Sequence, residues 1–287
     1  MPILVRMEVR AHDSFDEFRS VAEPLYRRDP VENTIELTLL RGGAFVDDAL
    51  MLTVWERGTA VGAALQTPPY PLACNGIPAS AEPVTATEIA RVRPELGGVR
   101  GNRDRALAFA AAWRAATGCA GTVVTEERLY RLGVLDPPAG VPGVGRVATA
   151  ADDTVLVDWV TAFFVETFSH QRDASAGRRF VDRANAVGDR FVLWHDGGRP
   201  VSTAMLRAPS AGVSRIGPVF TPPGSRGHGY GSAVTAAAAR LARRRGVDDV
   251  VLFADLANPT SNGIYQRIGF EAVSYSVRVS FASPSAT

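Results

Sequence analysis

The sequence is poor in the residues that build the most easily recognised sites. It holds only two cysteines, Cys74 and Cys119, far apart and in no Cys-x-x-Cys arrangement. That excludes a disulfide framework and a cysteine-rich zinc site, and it makes a reducing compartment the expectation. Histidines number four, and no His, Asp or Glu cluster has metal-ligand spacing, so no metal is expected. No apolar run approaches the roughly 20 residues that span a bilayer. The opening stretch becomes charged at Arg6 and Glu8 and lacks a signal-type apolar run, so a cytoplasmic protein without a membrane partner is expected. Net charge is nearly absent, with 31 basic against 30 acidic side chains. The electrostatic footprint of a nucleic-acid partner is therefore missing.

Apolar residues are plentiful, at 46% of 287, enough for a large core or two ordinary ones. The stretch Asp136-Pro-Pro-Ala-Gly-Val-Pro-Gly-Val-Gly145 is a poor helix and a poor strand, and it reads as a linker. It divides the chain into domains 1–136 and 145–287, both of ordinary size.

In the second half, Arg146–Thr149 reads as a short strand. A helix capped by Asp152 or Asp153 then runs to about Phe168, with Val157, Val160, Phe164 and Phe168 as its stripe. Arg190–Trp194 and Pro200–Leu206 flank a Gly-rich turn as a hairpin. Val213–Phe220 is a strand, Gly231–Arg245 a helix ended by Gly246, and Val250–Leu256 a strand apolar enough to be buried on both faces. Pro259–Ile268 is a short helix, and Glu271–Phe281 ends the chain as β structure. This order predicts an α/β (α+β) domain with a parallel crossover at its centre. The stretch Ser169–Arg183 is polar and breaks the helical pattern. It reads as a lid over an acceptor site, as basic contacts to a bound phosphate, or as solvated chain. The first half echoes the plan: Leu50–Glu56 and Ala60–Gln66 form a hairpin, and Val92–Val99 precedes a helix over Arg103–Ala116. On that alignment Val99–Asp104 stands where the second half has Arg226–Gly231. Leu129-Tyr130-Arg131-Leu132-Gly133 lies in a predicted strand.

The central motif runs Val219-Phe220-Thr221-Pro-Pro-Gly-Ser-Arg226-Gly227-His228-Gly229-Tyr230-Gly231-Ser232, from strand to helix. Glycines at alternate positions permit positive φ and let backbone amides converge on an anion. The helix that follows adds its unpaired amides and the positive end of its dipole. Arg226 supplies a charge and Ser232 a hydroxyl, and a pyrophosphate is the natural guest. A ligand-free Gly-rich turn is the plainer alternative. No Lys-Ser or Lys-Thr follows, which excludes a P-loop, and alternate glycines do not fit a dinucleotide fingerprint.

The segment Asn258-Pro259-Thr-Ser-Asn262-Gly-Ile-Tyr265-Gln-Arg-Ile268-Gly269-Phe270 has an N-cap asparagine, a proline at the first helical position and a glycine stop. Ile264 and Ile268 make its core face. Ser261, Asn262 and Tyr265 form a second stripe.

With Arg226-x-x-Gly229-x-Gly231 after a strand, and this segment downstream, the second half resembles the GNAT superfamily of N-acetyltransferases. The resemblance implies a mixed, mostly antiparallel sheet flanked by helices, and for the whole chain two such domains in tandem. The first half would then be degenerate, without the glycine loop or the Asn…Tyr-Gly-Phe segment. It implies acetyl-CoA as co-substrate, held by Arg226, Gly227, His228, Gly229, Tyr230, Gly231 and Ser232. Backbone groups of Val219 and Thr221, with Phe220 between them, would pair with the pantetheine arm, and Asn258 or Asn262 would bind that arm. Tyr265 would lie near the CoA sulfur as the general acid that protonates the leaving thiolate. The acceptor would be a primary amine of a small molecule or peptide.

A base for that amine is less evident. Asp255 reads as either the base or a turn residue. Glu166 and His170, at the end of the domain's first helix, read as acceptor-pocket groups or as solvated helix residues. A second functional reading is a CoA-binding sensor that does no chemistry.

Overall fold

A computed structural model describes residues 7–43, 48–168 and 171–282. The chain forms two compact units. One comprises Met1–Arg128 with Asp255–Ala257 and Ser274–Thr287, the other Leu129–Ala254 with Asn258–Val273. The division therefore falls before the Pro/Gly-rich stretch, and the end of the chain returns to the first unit.

The first half runs β1 (Met7–Ala11), α1 (Phe15–Tyr26), α2 (Thr34–Gly42), β2 (Leu50–Glu56), β3 (Thr59–Gln66), β4 (Leu72–Ala73), α3 (Glu82–Val92), β5 (Gly98–Asn102), α4 (Arg103–Thr117) and β6 (Gly121–Leu132). The second runs β7 (Val144–Val147), α5 (Asp153–Phe168), α6 (Ala174–Ala186), β8 (Arg190–Asp196), β9 (Arg199–Leu206), β10 (Val213–Phe220), α7 (Tyr230–Arg244), β11 (Asp249–Asp255), α8 (Pro259–Arg267) and β12 (Phe270–Phe281). The two halves have the same order, β-α-α-β-β-β-α-β-α-β. Even the irregularities repeat: hairpin β2–β3 has a register shift between Val54 and Trp55, and β8–β9 one between Trp194 and His195.

This order corrects the echo read from the sequence. The helix at Arg103 corresponds to α8, not α7, and the counterpart of the Arg226–Gly231 loop is Cys74–Ala81, between β4 and α3. The error was a shift by one strand–helix pair, because β4 is too short to register as a strand. A second correction concerns 169–183. Residues 174–186 form α6, capped by Asp173, whose carboxylate accepts the Ser175 amide at 2.8 Å. Arg172, Arg178 and Arg179 pair with Asp158, Asp153 and Asp173. A 3-10 turn, Ala150–Asp152, leads into α5, and the residue that caps it is Thr149, not Asp152 or Asp153. Asp152 closes a capping box with it while Arg146 forks onto the same carboxylate at 2.7 and 2.8 Å. Those contacts hold the Asp152 carboxyl well below its usual range, the arginine contributing most.

In the second unit β7, β8, β9 and β10 pair antiparallel, β10 and β11 pair parallel, and β6 lies on the far side of β11. Alternation sorts the side chains onto two faces. Val192, Ala204, Leu206, Val250 and Leu252 pack against Val234, Ala238 and Ala242 of α7. Phe191, Leu193, Met205 and Phe220 pack against Leu156, Trp159, Val160 and Val181 of α5 and α6. Val250, Val251 and Leu252 are at most 1% exposed, as expected of a strand covered on both faces.

In the first unit β12 pairs antiparallel with β5, from Ser276↔Asn102 to Ser280↔Gly98. The last strand of the second half thus completes the first unit. Conversely, Leu129–Leu132 of β6, the last strand of the first half, belong to the second.

The Pro/Gly-rich stretch is packed, not a free tether. The Trp194 indole donates to the Pro142 carbonyl at 2.9 Å, and a Cβ on Gly143 would lie 2.2 Å from the His195 carbonyl. The Asp136 amide donates to Ile268 at 3.1 Å.

Candidate active site

Parallel pairing of β10 with β11 covers only Val213, Ser214 and Arg215. Beyond Arg215, β10 turns away through a register shift between Ile216 and Val219 and stays paired only with β9, as Val219↔Ala204 and Phe220↔Thr203. β11 runs on to Asp255. The two strands therefore splay, leaving a gap along the side of β10 that faces away from β9. Thr221 ends this arm, its hydroxyl 2.8 Å from the buried Ser202 hydroxyl.

The glycine loop lies at the mouth of the splay. Gly227 and Gly229 have φ of 83° and 78°, the left-handed region that the alternate glycines require. Gly229 is the N-cap of α7 and offers no side chain to its first turn. The first bond into that helix is Ala233 to Gly229 at 3.0 Å. Among the described residues, the amides of Gly227, His228, Gly229, Tyr230, Gly231 and Ser232 have no protein acceptor. A run of unpaired donors at a helix N-terminus is the arrangement that can receive an anion.

The side chains brace the loop. Arg226 donates through Nε to the Thr221 carbonyl at 2.9 Å, and through Nη2 to Glu166 at 2.7 and 3.0 Å. His228 is exposed, its Nδ1 2.8 Å from the Arg226 carbonyl and its ring stacked on Tyr230. Tyr230 is buried and its hydroxyl donates to Asp196, a contact that raises the phenol's pKa. Glu166 is thus brought to the loop arginine. His170 lies outside the described residues. The Glu166–Arg226 pair is about half exposed at both ends, so its worth is no more than about 1 kcal/mol. Glu166→Gln should remove a charge that competes with a bound diphosphate and tighten CoA binding by about 2- to 5-fold in calorimetry. Weaker binding would instead mean that Glu166 serves to aim Arg226.

At the other side of the splay, Asn258 caps α8, its Oδ1 accepting the Ser261 amide at 3.0 Å. Asn262 donates from Nδ2 to the Asn258 carbonyl at 2.8 Å, and its Oδ1 accepts the Tyr130 hydroxyl at 2.8 Å. Both amide side chains are thus engaged in holding α8. Tyr265, one turn on, is 8% exposed and lies edge-on to Tyr130 and Phe270, with ring centroids 6.4 and 6.2 Å away. Burial pushes its phenol up to about 12, so it carries its proton at any physiological pH. Asp255, in the first unit, accepts the Ala257 amide at 2.8 Å, which is the geometry of a turn residue. Tyr130 was missed as a site residue in the sequence, where it is one apolar position of a predicted strand.

Among the described residues the first unit shows no such opening. The Cys74 amide donates to Arg100 at 3.0 Å, and the Asn75 side chain bridges onward, accepting the Asn102 amide at 2.6 Å. The gap between β4 and β5 is closed by the chain's own groups, and Cys74–Ala81 has no alternating glycines.

Residues 154–270 match the acetyltransferase (GNAT) family. The C-terminal half of this chain is a GNAT domain. Two curated relatives are mycothiol acetyltransferases. The one from Saccharomonospora viridis is 31% identical over 147 residues, 48% of this chain and 46% of that protein. The one from Beutenbergia cavernae is 34% identical over 89 residues, 30% of each chain. The matched segments thus span less than half the length of either relative. Among solved structures, a GNAT-family acetyltransferase from Colwellia psychrerythraea covers 96% of this chain and 100% of its own, with TM-score 0.64 and 11% identity. A tandem GNAT protein from the clavulanic acid biosynthesis pathway covers 98% and 100%, with TM-score 0.62 and 15% identity. These likenesses carry the fold: two GNAT-type units in one chain. Among the described residues no group of acidic, histidine or cysteine side chains could hold a metal, and no helix is long and apolar enough to cross a membrane.

Proposed function

We propose that the second unit transfers an acetyl group from acetyl-CoA to a primary amine. The observation that carries this reading is the run of unpaired amides from Gly227 to Ser232 beside the β10–β11 splay. The residues fit the co-substrate: the loop amides and Arg226 receive the diphosphate, and the edge of β10 around Val219, turned away from β11, receives the pantetheine amides. A backbone N–H on that edge then faces the thioester oxygen, where charge develops. The amine nitrogen attacks the thioester carbon, the C–S bond breaks, and the phenol of Tyr265 gives its proton to the thiolate and regains one from solvent. The amine gives up its own proton to water. The names of the curated relatives put the unacetylated counterpart of mycothiol first among acceptors to try.

Tyr265→Phe should lower kcat for thiol release by about 100-fold with acetyl-CoA affinity near wild type. An unchanged kcat would remove Tyr265 from the chemistry. Tight CoA binding by the wild type without thiol release, across a broad amine panel, would favour a sensor over an enzyme.

A further inference from the structure

The GNAT domain matches from residue 154, yet one of the side chains nearest Tyr265 comes from far upstream. Tyr130 lies on β6, which by element order is the closing strand of the first half. Residues Leu129–Leu132 nevertheless belong to the second unit. Tyr130 is completely buried, and its ring sits edge-on to Tyr265. Its hydroxyl donates to Asn262 Oδ1 at 2.8 Å, while Asn262 Nδ2 donates to the Asn258 carbonyl at 2.8 Å.

Each contact constrains α8 in a different way. The Asn258–Asn262 bond closes the first turn on itself and ties it to no other element. The Tyr130–Asn262 bond ties that turn to a neighbouring strand, adding a directed polar contact to the apolar packing of Ile264, Tyr265 and Ile268. Tyr265 follows Asn262 by three residues on the same helix, so it shares that face. From outside, α8 is also held by the core, into which Ile264, Tyr265 and Ile268 pack, and by the Asp136 amide, which donates to the Ile268 carbonyl at 3.1 Å. A helix of nine residues is marginal by itself and takes its orientation from such neighbours.

We propose that Tyr130 is the positioning residue for the Tyr265 phenol, acting through Asn262, so that the acid of the second unit is aimed by a strand from the first half of the chain. The proposal rests on the acetyl-transfer reading above. Tyr130 touches no reacting atom in it. Its hydroxyl sets the angle of α8 and its ring forms one wall beside the Tyr265 ring.

The test compares Tyr130→Phe and Tyr130→Leu with wild type in the full-length chain. Acetyl-CoA is the donor, and the acceptors are unacetylated mycothiol and a panel of small primary amines. Tyr130→Phe keeps the ring and loses one hydrogen bond, and a drop in kcat of about 3- to 10-fold is expected, with acetyl-CoA affinity and melting temperature near wild type. Tyr130→Leu should lower kcat further. In a double-mutant cycle, Asn262→Ala should add little to Tyr130→Phe, because the two side chains act as one unit. A kcat for Tyr130→Phe equal to wild type, or full additivity with Asn262→Ala, overturns the proposal. The side-chain amide signals of Asn262, read by NMR in chain labelled at asparagine, separate this from failure of the parent reading. If wild type neither binds nor turns over acetyl-CoA, the catalytic role falls with that reading. Loss of the Asn262 amide dispersion in Tyr130→Phe would then still show that Tyr130 holds α8, and unchanged signals would overturn that as well.

Discussion

A chain cut anywhere in 136–145 should give two halves that each fail to fold when expressed alone and that recover a soluble, cooperative melt when expressed together. The cut looks harmless in the sequence, since it passes through prolines and glycines. In the structure it separates each unit from a strand it needs. The fragment 145–287 loses Tyr130 and Leu132, both buried, and bares the flank of β11, whose Val250, Val251 and Leu252 are almost wholly enclosed. Each buried side chain of this size is worth about 1.5–3 kcal/mol. The total is a large share of a domain's net stability of about 5–15 kcal/mol. An apolar strand left at an open edge also pairs with other chains and precipitates. The fragment 1–136 loses Val277, Val279 and Phe281, and with Phe281 the ring stacked 5.2 Å from Trp113. Size-exclusion chromatography and thermal melting of the two fragments, separately and together, check this. A monomeric, cooperatively melting 145–287 would show that β6 is dispensable to the second unit.

Gly229→Val should weaken CoA binding by about 100-fold or more while lowering the melting temperature by only a few degrees. Gly229 holds φ of 78°, and a Cβ there would lie 2.9 Å from Val141 Cγ2. Val141 has a flexible end and can yield. The backbone angle cannot, and a β-branched residue in the left-handed region costs about 1–3 kcal/mol. The chain escapes that cost by changing φ, and in doing so turns the amides of Gly229, Tyr230 and Gly231 away from their common focus. The strain alone corresponds to a shift of about 2–4 °C per kcal/mol for a unit of this size. Gly246→Val is the control. It has φ of 71° with nothing within 4 Å of its Cβ position, at the opposite end of α7. It should show a similar thermal loss and unaltered CoA affinity by calorimetry. Equal loss of affinity in both variants would mean that the Gly229 effect is global destabilisation and not damage to the nest.

The two results probe different levels of the molecule, and the sequence is informative at those levels to different degrees. The loop was legible because its chemistry is local. Alternate glycines, a following helix and an arginine at the bend specify φ and amide direction with little reference to the rest of the chain. The same holds for the Asn258 cap and the apolar run of β11. Helix α6 was not legible, because its buried stripe is Gly177, Val181 and Ala184, which carries little hydrophobic signal. Gly177 is there because a Cβ would meet Thr161 Oγ1 at 2.2 Å, a contact visible only once α5 is in place. The match of Val99–Asp104 to the glycine loop failed for a related reason. Strand β4 has only Leu72 and Ala73, and its identity as a strand comes from its neighbours β3 and β5.

By itself, then, the sequence determined the glycine-loop backbone, the Asn258 cap and the family of the second half, because each rests on residues close together in the chain. The tertiary structure alone decided that β6 and β12 lie where they do, that the Pro/Gly stretch is packed, and that Tyr130 stands beside Tyr265. Strand pairing joins backbone groups separated by more than a hundred residues, and any apolar alternating segment offers the same donors and acceptors. Which two strands meet is settled by the competition among all of them for a closed core.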